Sequence, residues 1–176
     1  DPKTLSPDDA LSFELFNAQA ERADRLFAYR DHGYIFDQMN GSQSQLPAFL
    51  INIHRVANVA EAEAYVSRIR GLGPLLDELS AQSAARAAKG YAPPKWVYAY
   101  VISDIRNLLK PDNAVIEDIG AKVGKLDADP AEKARLVDAA KAAWAESADP
   151  AYARLLAEME RQQKVAPTDD GVWRMP

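Results

Sequence analysis

Apolar side chains recur every third or fourth residue along almost the whole chain, and nowhere do they alternate over a useful length. A spacing near 3.6 lines one face of a helix, whereas a half-buried strand needs a spacing of two. The pattern therefore admits one fold class, all-α, arranged as a multi-helix bundle. Leu11, Leu15, Ala18, Arg22, Leu26 and Tyr29 trace a first helix over about 6–30. Ser6-Pro7-Asp8-Asp9 opens it with a capping hydroxyl, a proline at the first helical position and acids at the positive end of the dipole. Residues 31–44 break the period at Gly33 and Asn40-Gly41, and carry Tyr34, Ile35, Phe36 and Met39 as a loop with something to pack against. Further helices are predicted over about 44–56, 59–89, 94–109, 113–124, 130–147 and 150–164. Asn58 and Glu61 have the form of a capping box. Gly90 is placed to end a helix. Pro74 should kink or break the third helix. Asp129-Pro130 and Asp149-Pro150 read as two separate starts. Residues 165–176 are expected to be extended, and 1–176 to form a single helical segment, an incomplete part of a longer domain.

Length and composition permit a folded core. The chain has 176 residues, 48% of them apolar and 27% charged, as in a globular protein. A net charge of −5, with no cluster of Lys and Arg among aromatics, argues against a nucleic-acid partner. No apolar run approaches the roughly 20 residues that span a bilayer. Cysteine is absent, which excludes a disulfide framework and thiol chemistry.

No catalytic set emerges from these residues. His32 and His54 are the two histidines, and neither belongs to a His-Glu-x-x-His run. Each is more simply read as a side chain that bonds a carbonyl or sits at the surface, and His54 falls at a helix end where a cation suits the dipole. Ser42 and Ser44 lack the flanking glycines of a nucleophile elbow. No phosphate loop or dinucleotide fingerprint is present. Asp169-Asp170-Gly171 reads first as a turn, with a metal or substrate contact as its functional alternative. Tyr65, Trp96, Tyr98, Tyr100 and Trp144 read first as core or half-buried packing, with a groove lining as the alternative. Arg68 and Arg70 suit an anion, or more simply the acids Glu61 and Glu63. No residue of the chain is assigned as catalytic or as a metal ligand.

Several stretches in order carry a resemblance. They are Gly41-Ser-Gln-Ser-Gln-Leu-Pro-Ala-Phe-Leu (41–50), His54 with Val56, Val59-Ala-Glu-Ala-Glu-Ala-Tyr-Val-Ser-Arg-Ile (59–69), Gly90-Tyr-Ala-Pro-Pro-Lys (90–95) and the closing Gly171-Val-Trp-Arg-Met-Pro. Together they make the chain similar to the bacterial domain of unknown function 885. That resemblance implies a much longer, mainly helical, zinc metallopeptidase-like parent, in which a His-Glu-x-x-Pro-Gly-His type sequence lies downstream of these residues. It implies zinc as the parent's cofactor, bound outside this chain, and a peptide substrate. It also implies the remaining carboxy-terminal part of the same protein as partner, present in the same or a second chain, and the cell envelope as location. Trp173, Asp170 and Tyr34 are the residues expected near substrate, the first two on the tail and the third in the 31–44 loop. The alternative is a non-catalytic helical module that binds a protein or peptide.

Overall fold

The computed structural model describes residues 4–176, and all of the regular structure among them is helical. The chain divides into two compact units, residues 1–33 and 34–176. In the first, α1 runs Pro7–Phe27. Ser6 caps it by accepting from the Asp9 amide at 3.2 Å. The first unit leaves Leu11, Leu15, Phe16, Leu26, Phe27 and Tyr29 exposed.

The second unit holds α2 (Ser42–Asn52), α3 (Val59–Ala88), α4 (Lys95–Leu108), α5 (Ala114–Gly124), α6 (Pro130–Ala143) and α7 (Asp149–Val165). A π-helical turn, Trp144–Ala148, joins α6 to α7, and a 3₁₀ turn lies at Val172–Arg174. The 30-residue α3 is the axis of this unit: α2, α5, α6, the π turn and α7 all pack on it, and α4 packs on α7. Its inward face is Ala62, Tyr65, Val66, Ile69, Leu72 and Leu76. α5 meets the core through Val115, Ile119 and Val123, one residue per turn. α7 does so through Ala151, Tyr152, Leu155 and Met159. The Trp144 and Tyr152 rings stack at 5.8 Å. Burying such side chains contributes about 1.5–3 kcal/mol each, which explains why most of the core follows the period read from the sequence.

Pro74, predicted to kink or break α3, and Pro47, predicted within the opening of α2, lie inside their helices, and Pro150 lies in the first turn of α7. Proline has no N–H, so the carbonyl four residues earlier loses its partner. Pro74 frees the Arg70 carbonyl, yet α3 continues unbroken through it. The reason is tertiary: Ser147 Oγ, on the π turn, donates to that carbonyl at 2.6 Å. Gly73 makes room, since a Cβ there would lie 2.4 Å from Ser147 Oγ. Pro47 likewise frees the Gln43 carbonyl, and Tyr152 O–H donates to it at 3.1 Å. α2 therefore begins at Ser42 and contains Pro47, rather than opening at 44.

Pro150 frees the Glu146 carbonyl. α7 starts at Asp149 with Pro150 in its first turn, as predicted, but it runs on from the π turn without a gap, so residues 130–165 are helical throughout. The turn ahead of Pro150 widens instead, so that the Asp149 amide bonds the Trp144 carbonyl five residues back. A wider turn relieves the clash between a proline ring and the preceding carbonyl.

Gly90 ends α3 as predicted, with φ at +93°. The Tyr91 amide bonds the Arg86 carbonyl and the Gly90 amide bonds that of Ala87, both at 3.0 Å, which is the Schellman pattern. The 165–176 tail is not wholly extended. Its 3₁₀ turn forms because Asp169 gathers the chain, accepting from the Gly171 amide at 2.9 Å and from Trp173 Nε1 at 3.3 Å.

Removing the hydroxyls that serve the orphaned carbonyls should be costly. Tyr152→Phe is expected to lower stability by about 1–3 kcal/mol in urea unfolding, the cost of an unmet buried polar group, and Ser147→Ala, whose bond is more exposed, by about 0.5–1.5 kcal/mol. In a Pro74→Ala background, where the amide returns, Ser147→Ala should cost markedly less. Equal costs in both backgrounds would exclude this role for Ser147.

Candidate functional site

The tail returns along the surface to the start of α4 and to the end of α3. The Lys95 amide bonds the Pro167 carbonyl at 2.8 Å, which fixes the tail beside α4. Beyond that point two adjacent acids each hold an indole. Asp169 takes Trp173 Nε1, and Asp170 accepts from Trp96 Nε1 at 3.1 Å. Trp173 folds its ring onto Gly171, where a Cβ would come within 2.0 Å of the indole, so any side chain at 171 would displace the ring. The ring is nonetheless 80% exposed, Trp96 is 46% exposed, and Tyr100 meets Trp96 edge-on at 6.1 Å. Large aromatic surfaces that are pinned by hydrogen bonds yet left open to solvent are a common form of contact surface.

Arg174 is the tail's link to the interior. Its Nη2 donates to Tyr34 Oη at 3.1 Å and to the Ala92 carbonyl at 2.6 Å. The three residues expected near substrate thus belong to one corner of the second unit: Asp170 bonds Trp96, Trp173 bonds Asp169, and Tyr34 bonds Arg174. Sequence reading did not single out Arg174. Its signal is visible only once Ala92 and Tyr34 stand beside it. Of the five aromatics considered as a groove, Tyr65, Tyr98 and Trp144 are buried and belong to the core.

A second polar cluster lies at the end of α2. His54 is buried; its Nε2 meets the Glu61 carbonyl at 3.0 Å and its Nδ1 meets Arg68 Nη1. Since Arg68 can only donate, Nδ1 accepts, Nε2 carries the proton, and the ring is neutral. Burial pulls the imidazole pKa down, the Glu61 carbonyl opposes this, and the charges of Arg68 and Lys122 pull it down further. His54 is therefore not the cation at the helix end. Lys122 takes that position: its ammonium donates to the Leu50, Ile51 and His54 carbonyls at 2.8–3.0 Å and pairs with Asp118 at 2.8 Å. Asp118 also accepts from Tyr65 O–H at 2.9 Å, and burial pushes that phenol's pKa up. Arg68 and Arg70 do not take Glu63, which pairs instead with Arg135 at 2.7 Å.

The zinc implied for the parent can be tested against these residues. Among the described residues no group of three or more His, Cys, Asp or Glu side chains could hold a metal ion. Both nitrogens of His54 are engaged by protein groups, and Asp169 and Asp170 are engaged by indoles. The residues present do not fit a zinc site. Nor is any helix among them long and apolar enough to cross a membrane.

The fold and this corner define a helical bundle with an exposed, hydrogen-bonded aromatic surface. Residues 1–174 match the family described as "Bacterial protein of unknown function (DUF885)", and the chain belongs to that family. Among solved structures it is similar to a "putative lipoprotein" from Colwellia psychrerythraea, with a TM-score of 0.76 and 21% identity. The likeness covers 81% of this chain and 25% of that one, so the chain spans a quarter of that protein's length. At that identity the likeness is one of fold. No curated protein matches.

The His54 cluster has a pH signature. The unfolded imidazole titrates near 6.5 and the folded one lower, so below about pH 6.5 the unfolded state binds more protons. Stability should then fall as pH drops from about 7 to 5. His54→Gln should flatten that slope in urea titrations. An unchanged slope would show that His54 does not set it.

Proposed function

We propose that this chain is the non-metal, helical part of a peptidase-like hydrolase, and that its tail corner forms one wall of a cleft for peptide substrates. The zinc of such an enzyme would be bound by polypeptide outside these 176 residues, and no step of its chemistry is assigned to residues of this chain. The observation that carries the reading is the pair of indoles, Trp173 and Trp96, held by neighbouring carboxylates and left open to solvent. Trp173, Asp170 and Tyr34 are the substrate-proximal residues in this reading. An envelope location accompanies it, supported by the description of the Colwellia protein as a lipoprotein.

The same surface supports a second reading, a non-catalytic module that holds a peptide or protein partner against its aromatics. Aromatic contact area is what such recognition surfaces use most.

The two are separated in the full-length polypeptide, with peptide hydrolysis measured beside metal content. The peptidase reading expects zinc near one equivalent, loss of hydrolysis on chelation, and recovery on adding zinc back. It expects Trp173→Ala to lower kcat/KM about tenfold or more, the loss of one aromatic contact worth about 1.4 kcal/mol or more, while the melting temperature holds. An unchanged kcat/KM at unchanged stability would remove Trp173 from the cleft. Absence of hydrolysis with zinc bound would leave the module reading.

A further inference from the structure

Beneath the tail corner lies a pocket of about 410 Å³, within the range of small-molecule sites. Its walls come from the end of α3, the 90–94 turn, α4, the end of α7 and the tail. Ala84, Ala87, Ala92, Val165 and Pro167 make most of it small and apolar. Two guanidiniums line it, Arg161 and Arg174, and no acid does. Arg161 is already neutralised by Glu158, at 2.6 Å.

Arg174 is different. Its Nη2 bonds two neutral oxygens, Tyr34 Oη and the Ala92 carbonyl. Its Nε is buried and has no hydrogen-bond partner. Among the described residues no ion pair engages it. A cation drawn into a low-dielectric wall without a counter-charge is costly, and a buried N–H without an acceptor adds to that cost. The remaining polar lining is spent within the protein: Tyr98 O–H donates to Gln162 Oε1 at 3.0 Å, and Gln162 Nε2 donates to Glu158 at 2.8 Å.

We propose that this pocket binds a small organic carboxylate, with the carboxylate on Arg174 and a short aliphatic body against the alanine and valine wall. The carboxylate supplies the missing counter-charge to the guanidinium. The alanine, valine and proline side chains of the wall favour an aliphatic body beside the carboxylate. Two sources present this chemistry, the free carboxyl terminus of a short peptide and a free short-chain acid. The inference is independent of metal chemistry, because nothing in the pocket depends on a metal.

Binding to the 176-residue chain is measured by calorimetry without added zinc. The probes are N-acetyl-Ala-Ala, its carboxy-terminal amide, and isobutyrate. The acid is expected to bind at least about tenfold more tightly than the amide, since only the acid meets Arg174 with a charge. Arg174→Gln should abolish that preference, with circular dichroism confirming the helical fold. Ala84→Leu, which fills the pocket from the α3 wall and leaves the Arg174 residue in place, should weaken the acid by a similar factor and guards against a folding failure of Arg174→Gln. Preference for the peptide acid over isobutyrate assigns the pocket to peptide ends, and the reverse assigns it to free acids. Equal binding of acid and amide, no binding of either acid at millimolar concentration, or full affinity in both folded variants would overturn the proposal. A missing hydrolytic activity would not, because the binding readout does not pass through it.

Discussion

The carbonyl that Pro74 deprives of its amide is the point on which the second unit turns. An orphaned acceptor at the centre of a 30-residue helix would ordinarily bend it or admit water. Here Ser147 Oγ fills the position, and Gly73 lets the π turn approach closely enough for the hydroxyl to reach. The same π turn absorbs Pro150 and keeps α6 and α7 in one continuous run. One turn of α7 further on, Tyr152 performs the same service for the carbonyl that Pro47 frees in α2. Pro47 and Pro74 thus become specific docking points: Tyr152 on α7 bonds α2, and Ser147 on the π turn bonds α3.

The opposite end of α2 is fixed by charge. Lys122 satisfies three carbonyls at once and keeps its counter-ion Asp118, which in turn holds Tyr65 on α3. His54 fits into this cluster as a neutral spacer between Arg68 and the Glu61 carbonyl. Buried ionic groups are tolerable only when every donor and acceptor is met, and this cluster meets that condition. The result ties α2, α3 and α5 together.

The tail has little regular structure, yet Asp169, Asp170 and Arg174 each bond a fixed partner. Exposed indoles on such a support lose little conformational entropy when a ligand arrives. The pocket below adds a charge without a protein counter-ion. The recognition proposed for this part of the molecule rests on an aromatic surface above and an arginine within, carried by residues 169–174 and the elements beside them.

Family membership and fold class were legible in the sequence, because the helical period and the order of short motifs are local properties. So were the caps at Ser6, Asn58 and Gly90, which depend on residues within a turn of one another. Local rules made Pro74 a kink or break and Pro47 part of an opening for the same reason: the carbonyls they free, of Arg70 and Gln43, are met only by Ser147 and Tyr152, 77 and 109 residues away in sequence. Trp173, Asp170 and Tyr34 could be named from the chain, but not the indole that Asp170 would hold or the arginine that Tyr34 would meet. Sequence determined which faces are apolar and where backbone donors are missing. Tertiary structure decided which side chain answers each missing donor, because a hydrogen bond acts over about 3 Å and has no counterpart in sequence distance.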